Sequence, residues 1–95
     1  MMCDADPQVR TEVARRIPAA SLGMMANDSE MGVRRIVAER MNPEDVIVLL
    51  NDTEWLIRLI VIQRVDISVL KALTKEDEDP EVRAEVRKRL SERSE

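Results

Sequence analysis

One dipeptide, an aliphatic residue followed by arginine, recurs at a fixed interval: Val9-Arg10, Val33-Arg34, Ile57-Arg58 and Val82-Arg83, spaced 24, 24 and 25 residues apart. Its surroundings recur with it. One acid stands six residues before each arginine (Asp4, Asp28, Asp52, Asp77) and another four before it (Asp6, Glu30, Glu54, Asp79). A valine follows at plus three (Val13, Val37, Val61, Val86), a second arginine at plus six (Arg16, Arg40, Arg64, Arg89) and an apolar residue at plus seven (Ile17, Met41, Val65, Leu90). Self-similarity at a period of about 20 to 50 residues marks a stacked solenoid, because one short unit has too little apolar surface to fold alone and buries its face against its neighbours. The expected fold is all-α: a single-domain α-solenoid of about four 24-residue repeats, near residues 4–27, 28–51, 52–76 and 77–95.

Each repeat reads as a long α-helix followed by a short α or 3-10 segment. In the first, Asp6 as N-cap and Pro7 at the first helical position open a helix that Pro18 ends. Val9, Val13 and Ile17 form its apolar stripe, and Leu22 and Met25 lie in the short segment Ala19 to Ala26, where Gly23 opposes a longer α-helix. The second repeat points Val33, Val37 and Met41 inward, and Asn42-Pro43-Glu44-Asp45 opens a short segment over Val46 to Leu50. In the third, a helix near Trp55 to Val65 precedes Asp66 as a cap and Val69, Leu70 and Leu73 as short-segment core. The fourth has a helix over Pro80 to Leu90 and then only polar residues. Its Arg87 replaces Ala14, Ala38 and Ile62 of the other copies, as expected of a solubilising C-terminal cap. The N-terminal repeat has no such cap and is expected to fray or to contact a partner.

The phrases Asp4-Ala-Asp-Pro-Gln-Val-Arg-Thr-Glu-Val-Ala-Arg-Arg-Ile and Asp77-Glu-Asp-Pro-Glu-Val-Arg-Ala-Glu-Val-Arg-Lys-Arg-Leu resemble the leucine-rich repeat variant family, related in style to HEAT-like solenoids. Four in-register copies extend the resemblance over residues 4–90. It implies a right-handed superhelix of alternating α and 3-10 helices. Some members are encoded near nitrogen-fixation genes and carry an N-terminal four-cysteine iron–sulfur cluster, so the resemblance also implies, as an alternative, an accessory role in nitrogen-fixation or iron–sulfur metabolism. This chain departs there: its one cysteine, Cys3, cannot supply four thiolates, and no cofactor is expected.

The side-chain inventory opposes catalysis. Histidine and tyrosine are absent, so the commonest general base is missing and Cys3 has no imidazole partner. Two glycines make no phosphate cradle, and the acid pairs Asp4/Asp6 and Asp77/Glu78/Asp79 stand where helices need caps. The expectation is a non-enzymatic chain with no catalytic residue, no metal ligand and no small-molecule substrate. A single cysteine, an N-terminus without the blocks of a signal peptide, and a longest apolar run of only Val46 to Leu50 predict a soluble cytoplasmic protein with no membrane association.

The arginines admit two readings. Arg10, Arg34, Arg58 and Arg83 each follow an acid by four residues, so Asp6/Arg10, Glu30/Arg34, Glu54/Arg58 and Asp79/Arg83 predict a structural charge ladder along the helices, with each arginine also brought near the next repeat's acids by stacking. Arg16, Arg40, Arg64 and Arg89 form a second row, an anion ladder for nucleic acid or phosphate in the alternative reading; the net charge of −4 weighs against general nucleic-acid binding.

The third repeat departs most from the others. Trp55, Leu56, Leu59 and Ile60 replace residues that in the outer repeats are mostly polar, and they share a helix face opposite the core stripe Ile57, Val61 and Val65. Met31 and Ile36 are expected to extend the patch. A helix apolar on both sides must be covered on both, which predicts a protein interface and, in its simplest form, a homodimer. The expected function is a protein-binding or scaffold module that self-associates through this repeat.

Overall fold

A computed structural model describes residues 6–72 and 77–93; Cys3, Asp4 and Leu73, named above, lie outside the described residues. The described residues are all-helical: α1 (Pro7–Arg16), a 3-10 segment (Ala19–Met25), α2 (Met31–Arg40), a second 3-10 segment (Val46–Leu49), α3 (Trp55–Arg64), α4 (Ile67–Ala72) and α5 (Pro80–Arg93). Extents of 46 × 24 × 16 Å describe a short rod, and the radius of gyration of 14.1 Å exceeds the roughly 12 Å of a rounder domain this long.

The helices stack in sequence order. α1 packs on α2, α2 on α3 and α3 on α5, while the short segment of each repeat packs on the helix of the next: Ala19–Met25 on α2, Val46–Leu49 on α3 and α4 on α5. Starts and stops follow from local chemistry. Asp6 caps α1 by accepting the Gln8 N–H at 2.7 Å, and Asp79 caps α5 by accepting those of Glu81 and Val82. The first three long helices end alike: Ile17, Met41 and Val65 are extended, each amide still donating to the carbonyl four residues back. α5 runs three residues beyond the expected Leu90.

The short segments obey a different period. A 3-10 helix has three residues per turn, so residues three apart share a face. Leu22 with Met25, and Val46 with Leu49, are accordingly buried, while Met24, Ile47 and Val48 are turned out. The third short segment, α4, is α-helical rather than 3-10; Asp66 opens it by accepting the Ser68 N–H at 2.9 Å, and no glycine or proline interrupts it. Between the layers runs a continuous core that includes Val33, Val37, Ile57, Val61, Val65, Leu70 and Val82.

Candidate protein interface and arginine ladders

The arginine that follows each aliphatic residue pairs across the repeat boundary. Arg10 Nε donates to Asp28 at 2.8 Å, Arg34 Nε to Asp52 at 2.8 Å and Arg58 Nε to Asp77 at 2.7 Å. Each aspartate is a junction. One carboxylate oxygen accepts the arginine of the preceding repeat, the other accepts the backbone N–H two residues on (Glu30, Glu54, Asp79), and the backbone carbonyl accepts Nη1 of the arginine of its own repeat (Arg34, Arg58, Arg83). The result is an unbroken alternation of guanidinium and aspartate from Arg10 to Arg83.

This corrects the expectation for Glu30/Arg34 and Glu54/Arg58. Glu30 and Glu54 are the cap residues of α2 and α3 with extended backbone, φ −91 and ψ 123 in both, so they leave the helical path that brings i and i+4 side chains together. Asp6 and Asp79 are N-caps. At Asp77, burial pushes the carboxyl pKa up, but hydrogen bonds from Arg58 and the Asp79 N–H, with the charges of Arg58 and Arg83, outweigh it and hold the group below its ordinary value. The bond to Asp77 in turn holds Arg58 above its ordinary value against burial.

The second arginine row works inside the fold. Arg40 Nη1 donates to the carbonyls of Ala14 and Ile17, both at 2.7 Å. Arg64 does the same to Ala38 and Met41, and Arg89 to Ile62 and Val65. These are end-of-helix carbonyls, which lack intrahelical partners and carry the negative pole of the helix. Three members of the expected anion ladder therefore spend donors as C-terminal caps of the preceding helix. Arg16 alone of the four faces solvent, against Glu12 at 3.4 Å.

The apolar patch is narrower than the sequence implies. Trp55 is 42% exposed at the first turn of α3, and Leu56 beside it is half-buried. Met31, Leu59 and Ile60 are half-buried and lean on the core. Ile36 is a correction: at 8% exposed it belongs to the core, because α2 is covered by α1 on one side and α3 on the other. Sequence reasoning missed the exposed Val9, Met24, Ile47 and Val48; the three-residue period of the short segments was the available signal for Met24, Ile47 and Val48. Among the described residues no group of three or more acidic, cysteine or histidine side chains is placed to hold a metal ion, and no helix is long and apolar enough to cross a membrane.

Neither the comparison with protein-family models nor that with curated proteins gave a match. A solved structure described as a leucine-rich repeat variant with a novel repetitive protein structural motif superposes with a TM-score of 0.83 and 43% sequence identity over 93% of this chain. The chain spans 37% of that structure's length. With the periodic motif, the stacked helices and this likeness in hand, the chain is a helical repeat protein similar in fold and sequence to a leucine-rich repeat variant.

Proposed function

We propose that the chain is a non-catalytic scaffold that binds protein through the outer face of its third repeat, and that a second copy is the first partner to seek there. The carrying observation is Trp55, 42% exposed with Leu56 at its side on a helix whose other face is already core. Tryptophan gives much contact area with few rotatable bonds and is over-represented at the energetic centres of interfaces. A two-fold contact would bring each Trp55 toward its mate and shield both from water.

Trp55 is also the chain's one tryptophan, so its emission reports on this face directly. Light scattering is expected to give a dimer mass at tens of micromolar, with emission shifting to the blue as concentration rises. Trp55→Glu, at an exposed site, is expected to keep the helical circular dichroism and give a monomer. A monomeric wild-type chain over that range, with emission independent of concentration, would rule out self-association.

A further inference from the structure

With Leu22 and Met25, and Val46 and Leu49, turned into the core, the other positions of the two 3-10 segments face out, and three of them carry large apolar residues. Met24 is 66% exposed, Val48 56% and Ile47 45%. Singly such residues need no explanation, but these three form one row. Met24 and Val48 occupy equivalent positions of successive repeats, so one follows the other along the rod, and the exposed Ala20 and Gly23 continue the surface on the first segment. Two carboxylates flank the row. Glu44 stands three residues before Ile47 and Asp45 three before Val48; both are exposed, and neither is in an ion pair among the described residues. The three-residue period already runs through them, since the Asp45 N–H donates to the Asn42 carbonyl at 2.8 Å and that of Val48 to the Asp45 carbonyl at 3.2 Å. In the third repeat the exposed Lys71 and Ala72 take the positions of Ile47 and Val48, and the large apolar residues stop.

We propose that this row is a docking surface for an amphipathic helix of a partner protein, its apolar stripe on Met24, Ile47 and Val48 and its basic flank on Glu44 and Asp45. The spacing fits. Packed helices lie about 8 to 10 Å apart, a distance an α-helix covers in about six or seven residues, so apolar residues at i and i+7 of a helix lying along the rod meet successive repeats. Charge decides the kind of helix: two unpaired carboxylates beside the row repel an acidic partner and favour a basic one, while Lys71 favours an acid at the end that reaches the third repeat. A second copy of this chain is a poor match. Its exposed cations on α1 and α2 are paired, Arg15 and Arg16 with Glu12 and Arg35 with Glu39. On α3, Arg58 and Arg64 are held by Asp77 and by helix-end carbonyls. On α5, Arg87 and Lys88 are exposed, but Val82, Val86 and Leu90 lie in or against the core. The inference does not rest on the Trp55 face.

The probe is a fluorescein-labelled model peptide of about 14 residues, enough to cross two layers, with leucine at i, i+3 and i+7 and lysine along one flank; its counterpart carries glutamate for every lysine. Fluorescence anisotropy is expected to show micromolar binding of the lysine peptide and at least about tenfold weaker binding of the glutamate peptide. Ile47→Ser with Val48→Ser, both at exposed sites, is expected to weaken the lysine peptide at least about tenfold with helical circular dichroism unchanged. Glu44→Lys with Asp45→Lys is expected to reverse the preference between the peptides; the Asp45 side chain makes no cap hydrogen bond that this would remove. No binding of the lysine peptide, equal binding of both, or full affinity in the serine variant would overturn the proposal. So would self-association of the wild type that the serine variant abolishes, since a second copy would then be the occupant.

Discussion

Asp52 shows how much work one side chain performs in this fold. Only 5% of its side chain is exposed; it takes Arg34 at 2.8 and 3.3 Å, the Glu54 N–H at 2.9 Å, and through its carbonyl Arg58 at 2.8 Å. Removing the carboxylate would leave the Arg34 guanidinium largely buried without a counter-charge. Asp52→Ala is therefore expected to cost about 3 kcal/mol in urea unfolding. By contrast Glu12, whose partners Arg15 and Arg16 are exposed, is expected to change stability by less than about 0.5 kcal/mol when replaced by alanine. Asp77 adds a pH dependence of known sign. Its native pKa lies below its unfolded one, so the unfolded chain takes up the proton first as pH falls. The stability it contributes is complete above the ordinary carboxylate value of about 4 and is lost as pH drops through the depressed native value. Denaturant midpoints between pH 7 and pH 2 should fall more steeply for the wild type than for Asp77→Asn; parallel curves would place the acid sensitivity elsewhere.

At the level of helices and turns, spacing alone anticipated most of what forms, with α1, α3 and α5 beginning at the expected residues and α1, α2 and α3 closing on the apolar residue seven after the arginine. Proline and aspartate at helix starts are local signals, and local signals survive without knowledge of neighbours. Contacts between repeats do not. Nothing in a spacing of four residues says that Arg34 passes over Glu30 to reach Asp52, because that choice depends on the extended backbone at Glu30 and on the register of the next layer. Likewise the row from Arg16 to Arg89 looked free for anions, since helix ends requiring caps are invisible until the layers are stacked. The caps are testable. Arg64→Ala leaves the carbonyls of Ala38 and Met41 without their donor at the end of α2 and is expected to cost about 1 to 2 kcal/mol. Amide exchange should quicken first at Met41, whose N–H closes that turn on Val37.

For the whole molecule, the decisive fact is that the main packing of each described layer is on its neighbours in sequence, so stability should behave as a sum of repeat and interface contributions along one axis. The C-terminal repeat indicates how to cut that sum at a chosen place. Ile62 is 3% exposed and, with Val82 and Val86, lines the seam between α3 and α5. The equivalent position in α5 itself is Arg87, which is exposed. Ile62→Arg copies that terminal solution into the third repeat, placing a guanidinium where an apolar contact holds α5 to the stack. Burying it without a partner should cost several kcal/mol at that seam and nothing directly at the others. The expected outcome by hydrogen exchange is loss of amide protection throughout α5, with α1 and α2 keeping most of theirs. Equal loss in all layers would instead mean that the guanidinium–aspartate alternation from Arg10 to Arg83 couples the rod so tightly that it folds only as a unit, and the nearest-neighbour picture would have to be given up.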